Sequence, residues 1–254
     1  MSQLAARLVN GLFLAGQILV HILQGKIHRH NLFEQMAFVG PSSLIISLIT
    51  AAFVGMVFTI QVAREFIYFG ATTAVGGVLA IALSRELAPV LTAVVVAGRV
   101  GSAFAAEIGT MRVTEQIDAL QMLKTDPVDY LVTPRVVACS LMLPILTIFA
   151  LLMGMAGGLF IASTIYDISR TLFLESIKNF LQPWDLIAAL IKSAVFGALI
   201  AVIGCNWGLT TTGGAKGVGQ STTAAVVISL LAIFIANFFL SWLMFQGTGT
   251  VILE

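Results

Sequence analysis

The sequence predicts an all-α integral membrane protein, with an N-terminal helix in the membrane interface followed by five transmembrane helices. The first observation is composition: 59% of the 254 residues are apolar and only 10% are charged, whereas soluble globular proteins average roughly 45–50% and 25%. So few charges cannot cover a water-facing surface, which excludes a soluble enzyme, a disordered protein and a nucleic-acid binder. The net charge of +1 also provides no large field to attract polyanions.

The second observation is a series of long apolar stretches. A transmembrane helix needs about 20 mostly apolar residues, and four stretches of at least that length contain no Asp, Glu, Lys or Arg. A fifth, residues 66–107, is interrupted by Arg85, Glu86 and Arg99; it is either two short spans or one span preceded by a turn. The glycines and threonines clustered over 70–77 favour one span after a turn. The predicted spans are 41–67, 75–107, 132–165, 186–211 and 219–245.

The third observation is the distribution of Lys and Arg, which predicts a cytoplasmic N-terminus and an outside C-terminus. In this orientation seven such residues fall in inside segments and three in outside segments, as expected because cytoplasmic loops carry the excess of positive charge. The inside residues are Arg7, Lys26, Arg29, Arg112, Lys124, Arg135 and Lys216, and the outside residues are Arg64, Arg170 and Lys178.

Residues 1–30 are predicted to form an amphipathic helix that lies in the membrane interface. Polar residues recur at helical spacing from Gln3 through Arg7 to Gln24, and leucines fill the opposite side. This pattern is typical of interfacial helices. A signal peptide is the rival interpretation, because residues 11–20 are apolar, but a basic start and a clear small-residue cleavage site are both missing from the pattern.

Two further amphipathic segments connect predicted spans. Residues 111–124 lie on the inside, between spans two and three, and are followed by Asp126 and Pro127. Asp126 can cap the next helix, with Pro127 in the first turn, where a missing N–H is not needed. Residues 167–182 form a similar segment on the outside.

The charges inside span two are the sharpest functional signal. Arg85 and Glu86 are adjacent, so they point about 100° apart on a helix and are not expected to pair with each other. Pro89 removes the hydrogen bond to the Arg85 carbonyl, which predicts a kink or an opened turn. Because charges at membrane depth usually face a cavity or a partner, we expect a functional site here; interhelical salt bridging without a transport role is the alternative.

Small residues predict close helix packing on the same span. One small residue in every four allows two helix backbones to approach each other. The pairs Gly154–Gly158 and Gly204–Gly208 are weaker instances of this pattern, and Cys139 and Cys205 lie in apolar runs that predict burial rather than a disulfide. The stripe on span two consists of Ala97, Gly101, Ala105 and Gly109.

Motifs of enzyme chemistry give no support for catalysis by this chain. A P-loop motif is missing from the sequence, and the glycine-rich run 213–219 is better explained as a turn between spans four and five. His21, His28 and His30 fall near the N-terminus. His28 and His30, beside Lys26 and Arg29, form either a metal site or, as we prefer, a basic cluster facing anionic headgroups.

Residues 85–120, RELAPVLTAVVVAGRVGSAFAAEIGTMRVTEQIDAL, resemble the signature region of the MlaE/YrbE permease family. The members of this family are membrane subunits of ABC transporters that move phospholipids with MCE-domain partners. The segments FVGMVFTIQV and TDPVDYLVTPRVVA and the five-span plan are also similar, so the resemblance covers nearly the whole chain.

The resemblance implies a homodimer of permeases, each bound to a cytoplasmic ATPase that holds the ATP, with an MCE-domain protein on the outer side. It implies a lipid site near Arg85 and Glu86, together with Phe69 and Arg99. The chain departs from the pattern at Arg64-Glu65, where a charged pair ends span one, so the contacts with the MCE partner are expected to differ. The expected membrane is the bacterial inner membrane or the chloroplast inner envelope.

The resemblance also implies that residues 111–124 form the coupling helix, which seats in the ATPase through Glu115, Gln116, Asp118 and Leu120. A secondary transporter or channel for a small amphipathic solute, and an intramembrane lipid enzyme, remain as alternatives. The first would usually show inverted repeats with paired broken helices, and the second would need converging polar groups at one depth. Co-purification with a P-loop ATPase would decide against both.

Overall fold

The structure is a computed structural model that describes residues 2–23 and 29–246, and within these ranges it contains helices and turns but no strand. Three π-helical turns, Leu83–Leu87, Ala97–Gly101 and Val128–Val132, interrupt the α-helices. The α-helices are α1 (Ser2–Leu23), α2 (Arg29–Tyr68), α3 (Val75–Ala82), α4 (Ala88–Val96), α5 (Ser102–Val113), α6 (Gln116–Met122), α7 (Thr133–Thr164), α8 (Arg170–Phe180), α9 (Pro183–Leu209) and α10 (Gly214–Phe245).

In the part of the chain that the structure describes, five helical stretches are long and apolar enough to cross a membrane, which confirms the predicted fold class. The second of them shows that the apolar region 66–107 forms one span after a turn. This turn follows Tyr68 and contains Gly70 at φ +71°, a conformation that glycine adopts without strain. The five stretches are Arg29–Tyr68, Thr72–Val113, Val128–Thr164, Pro183–Leu209 and Gly214–Phe245.

Three helices begin earlier than expected, and one of them is α10, which begins at Gly214 rather than at 219. The prediction started the first span at Pro41, but α2 begins at Arg29 and passes through Pro41. A proline removes one helical hydrogen bond, and here the packing of neighbours such as Val39, which is fully buried, outweighs that loss. The fourth span was expected from 186, but α9 begins at Pro183 and so includes Asp185.

The helices are distributed over two compact units. Unit 1 comprises Met1–Ser42, Ala93–Met142 and Ala194–Ile235. Unit 2 comprises Ser43–Thr92, Leu143–Ser193 and Ala236–Glu254.

Small residues pack the helices of unit 1. Ala97, Gly101, Ala105 and Gly109 are all buried. A Cβ on Gly204 would lie 2.8 Å from the Gly101 carbonyl oxygen, and a Cβ on Gly208 would lie 2.7 Å from the Cβ of Ile108. The pair Gly204–Gly208, which the sequence ranked as a weaker instance, therefore provides the partner surface on α9 for the stripe of the second span.

Unit 2 contains a second close helix contact, between α2 and α7. A Cβ on Gly55 would collide with the carbonyl of Gly154, and a Cβ on Gly158 would collide with Leu79. The amphipathic helix α8 is joined to α3, where the Gly77 N–H donates a hydrogen bond of 2.9 Å to Ser176 Oγ. Gly55 is needed because two helix backbones touch there, whereas Gly158 leaves room for the side chain of Leu79.

Within unit 1, helix α1 is joined to the end of α9 by polar contacts. The Arg7 guanidinium donates to the Thr210 carbonyl at 3.1 Å, and the Asn206 amide donates to the Arg7 carbonyl at 2.8 Å. The glycine-rich run 213–219, expected to be a turn, is mostly helical, because α10 begins at Gly214. The turn after α9 is confined to the residues up to Gly213 and Gly214, at φ +88° and +66°. His28, expected at the basic cluster, lies outside the described residues.

Both cysteines are buried in unit 1. Cys139 and Cys205 are free thiols with no exposed surface, as their apolar surroundings in the sequence predicted.

Candidate functional site

The π-helical turn Leu83–Leu87 is the opened turn that Pro89 predicts. The Ala88 N–H reaches back to the Leu83 carbonyl, five residues earlier, rather than four as in an α-helix. Because Pro89 has no N–H, it cannot bond the Arg85 carbonyl. The Lys192 Nζ donates to that carbonyl at 2.7 Å, so a side chain from another helix replaces the missing backbone donor.

Lys192 has no exposed side-chain surface, and its ammonium is fully hydrogen-bonded. An ammonium has three N–H donors. They reach the Arg85 carbonyl, Glu86 Oε1 at 2.9 Å and Ser241 Oγ at 2.7 Å. A buried charge is tolerated when it is both paired and hydrogen-bonded, and this residue meets both conditions.

Glu86 is held by three residues of unit 2. Its Oε1 accepts hydrogen bonds from Lys192 and from the Ser241 hydroxyl at 2.7 Å, and its Oε2 accepts one from the Asn237 amide at 2.6 Å. The side chain nevertheless remains 43% exposed. The carboxylate is therefore fixed in position but still accessible.

Arg85 pairs with Asp185 and not with its neighbour Glu86, as the helical angle between them predicts. Its Nε donates to Asp185 Oδ1 at 2.8 Å, and the Asp185 side chain is 1% exposed. The other carboxylate oxygen accepts the Gln182 N–H at 3.0 Å, which caps the start of α9 in the manner of a capping box. The Arg85 guanidinium also lies 4.6 Å from the centre of the Phe245 ring, within range of a cation–π interaction.

These contacts define a charged network in unit 2, formed by Arg85, Glu86, Asp185, Lys192, Asn237 and Ser241. One half of it, Asp185 and Lys192, is buried, and the other half, Arg85 and Glu86, is 29% and 43% exposed. The buried half can neutralise and orient the accessible half. The arrangement thus presents one cationic and one anionic group in an otherwise apolar protein.

The sequence reasoning missed three members of this network, although each carried a signal. Asp185 follows Gln182 and Pro183, and an acidic third residue after a first-turn proline is typical of a helix start. Asn237 and Ser241 are spaced four residues apart in an apolar span, so they share one helix face. Lys192 is a charged residue inside the predicted fourth span, which itself indicates a partner at membrane depth.

The other two residues expected at the lipid site lie elsewhere in the chain. Phe69 lies at the turn after α2, 75% exposed, with its ring edge against that of Tyr68. Arg99 lies in unit 1, in the π-helical turn Ala97–Gly101, where Ser102 Oγ donates to its carbonyl at 2.9 Å.

The predicted coupling helix over 111–124 is divided in two. α5 ends at Val113, Glu115 has a left-handed backbone at φ +61°, and α6 covers only Gln116–Met122. A single helix cannot continue through a left-handed residue, so the segment makes a corner. The Arg112 guanidinium donates to Asp118 across this corner at 2.5 Å.

The side chains of this segment differ in exposure. Glu115 and Gln116 are exposed, Asp118 and Leu120 are partly buried, and Ile117 anchors α6 with only 2% exposure. The largest apolar exposure lies at the end of α6, where Met122 and Leu123 are 86% and 75% exposed. We call Met122 and Leu123 the apolar tip. They lie within the predicted segment 111–124 but were not among the residues expected to seat in the ATPase.

Comparison with known proteins places this architecture in a family. The family model "Permease MlaE" matches residues 32–243. The chain belongs to the MlaE permease family. The matched region contains Arg85, Glu86, Asp185, Lys192 and the residues of α10 up to Leu243, so it includes the whole charged network.

Several curated relatives agree with this assignment. A probable ABC transporter permease of Synechocystis sp. is 73% identical over 96% of this chain and 92% of its own length. The chloroplastic protein trigalactosyldiacylglycerol 1 of Arabidopsis thaliana is 56% identical over 93% of this chain and 67% of its own length. A probable ABC transporter permease of Rickettsia prowazekii is 41% identical over 89% of this chain and 87% of its own length. The protein is thus a multi-pass ABC transporter permease, which is not itself an enzyme, and this class decides against a secondary transporter.

Proposed function

We propose that this permease moves phospholipids or related glycerolipids between membranes, driven by a separate ATPase. The observation that carries the proposal is the charged network, in which Arg85 and Glu86 stay accessible while their counter-ions are buried. A guanidinium can bind a lipid phosphate through paired hydrogen bonds, and a carboxylate can accept hydrogen bonds from headgroup hydroxyl or ammonium groups. The name of the Arabidopsis relative denotes a glycerolipid, which supports the same substrate class.

The segment around α6 is proposed to dock on the ATPase. The apolar tip supports this, because large apolar side chains that project from a short polar helix typically mark an interaction site. Glu115 and Gln116 are exposed beside it and would form the polar rim, with Asp118 held by Arg112. ATP would bind to the partner, since the sequence of this chain has no P-loop motif.

A homodimer and an MCE-domain protein on the outer side complete the proposed assembly. Of the five membrane-spanning stretches in the described residues, α10 is the least buried. Only 17% of its most apolar residues are buried, against 33–44% in the other four stretches. This supports a partner along α10. Arg64 and Glu65 are exposed near the end of α2 and are proposed to contact the MCE protein. Relatives from a cyanobacterium and a chloroplast support a bacterial inner membrane or a chloroplast inner envelope as the location.

The lipid retained by the permease, purified with its partners from native membranes, tests the site. Arg85→Ala should lose bound phospholipid, because a charge-assisted hydrogen bond disappears from a site of low dielectric constant. It also leaves the buried Asp185 carboxylate without its cation, so a loss of fold would give the same result. The matched control is the double variant Arg85→Gln with Asp185→Asn, which removes both charges and leaves no buried carboxylate.

The two variants together separate the two roles of Arg85. If Arg85 binds the headgroup, the double variant is folded but still lacks lipid. A folded double variant that retains the normal amount of lipid would contradict the assignment and leave Arg85 with a structural role. A purified complex without a P-loop ATPase would contradict the proposed energy source.

A further inference from the structure

The ends of spans two and three meet in an ion pair in unit 1. Arg135 Nη2 lies 2.8 Å from Glu107 Oε1. Glu107 lies on α5, before the segment around α6, and Arg135 lies on α7, after it. The pair therefore closes the base of the loop that carries the apolar tip. It also joins two separate motifs of the sequence, AEIG at 106–109 and TPR at 133–135.

Arg135 is the fixed half of this pair. Its side chain is 3% exposed, and its Nη1 donates to the Leu131 carbonyl, in the π-helical turn Val128–Val132, at 3.2 Å. Its guanidinium also lies 5.3 Å from the centre of the ring of Phe104, which is fully buried on α5. Arg135 thus contacts both α5 and the turn that opens α7.

Glu107 is the accessible half, with 54% of its side chain exposed. Beside the pair lies a cavity of about 160 Å³ lined by polar residues that include Glu34, Gln35 and Arg135. Arg135 Nε and Gln35 Oε1 are buried without a hydrogen-bond partner at this place. The guanidinium therefore has space and unused donor capacity beside it, unlike the ammonium of Lys192.

We propose that Glu107 and Arg135 are positioning residues that clasp the base of the coupling segment, so that a displacement of α6 moves the ends of spans two and three together. The inference rests on the proposed function. Without the clasp, α6 would still dock through the apolar tip, but α5 and α7 would no longer be joined at the base of the loop. The movement of α6 would then not reach both spans together. The clasp therefore affects the coupling of ATP hydrolysis to transport and not the binding of the ATPase.

The test compares ATP hydrolysis with lipid movement in the complex purified with its ATPase and reconstituted in vesicles that contain a fluorescent phosphatidylglycerol. Glu107→Gln and Arg135→Gln should each keep the ATPase bound and active but lower the lipid moved per ATP by about fivefold or more. The double variant should lose no more than the worse single variant, because both changes remove one interaction. Lys178→Gln, which removes a positive charge from the exposed face of α8, is the matched control and should change nothing.

Arg135→Lys keeps the charge but not the planar fork, and it should recover part of the coupling. If the Arg135→Gln complex fails to assemble, Arg135→Lys is the variant that tests the role of the ion pair. Unchanged lipid per ATP in an assembled Arg135→Gln complex, or additive losses in the double variant, would overturn the clasp. A wild-type complex that moves no lipid with ATP would instead contradict the proposed function itself.

Discussion

Two π-helical turns of this permease have the same local cause but different surroundings. Leu83–Leu87 precedes Pro89, and Val128–Val132 precedes Pro134, so each proline deprives a carbonyl four residues earlier of its usual donor. In unit 2 the Arg85 carbonyl accepts from the buried Lys192 ammonium at 2.7 Å. In unit 1 the Tyr130 carbonyl lies 3.5 Å from the exposed Asn31 amide.

The difference indicates that the two turns have different tasks. A short hydrogen bond from a buried cation is stronger than a long one from a neutral amide. The turn in unit 2 is therefore locked, which suits a site that must hold Arg85 and Glu86 at fixed positions for a headgroup. The turn in unit 1 is held instead by side chains of its own segment, because Thr133 Oγ1 donates to the Val128 carbonyl at 3.1 Å and Arg135 Nη1 donates to the Leu131 carbonyl at 3.2 Å. It lies at the base of the coupling segment.

The largest effect is expected when the locked turn is opened by Lys192→Met. The substitution leaves the Glu86 carboxylate without its cation and the Arg85 carbonyl without a donor, so two groups lose a partner, and each such loss costs about 1–3 kcal/mol. This loss of stability is measured as the change in the free energy of unfolding in a titration with sodium dodecyl sulfate. Lys178→Met on the exposed face of α8 is the control, and an equal result for the two lysines would show that the ammonium does not lock the turn.

The local features of this comparison could be predicted from the sequence. The opened turn follows from Pro89, because the lack of an N–H is a property of one residue. The single second span follows from the turn residues at 70–77, and the separation of Arg85 from Glu86 follows from the helical angle. Each of these depends only on neighbours within about one helical turn.

The partners of these features could not be predicted in the same way. Asp185 and Lys192 follow Arg85 by more than 90 residues, and nothing in their own segments indicates which helix they face. The corner at Glu115 was missed because a left-handed backbone at a non-glycine residue has no clear sequence signal. The role of Gly204 and Gly208 was underestimated because a small residue shows its purpose only when the facing helix is known.

A smaller effect is expected from Ser241→Ala in the locked turn. The hydroxyl donates to Glu86 and accepts from Lys192, and loss of a partner for buried charged groups costs about 1–3 kcal/mol. The same unfolding titration measures this change. Ser163→Ala, which removes only a hydroxyl bonded to its own helix at 3.2 Å, is the matched control. If both serine variants lose the same stability, the network does not depend on Ser241.

The smallest effect is expected from Asn31→Ala at the π-helical turn of unit 1. The distance of 3.5 Å from Asn31 Nδ2 to the Tyr130 carbonyl exceeds the usual 2.7–3.2 Å of an N–H to oxygen hydrogen bond, and water can replace the amide at an exposed position. The free energy of unfolding should therefore change by no more than about 0.5 kcal/mol. A loss as large as that of Ser241→Ala would mean that the amide holds the turn as firmly as the network does, and the contrast between the two turns would disappear.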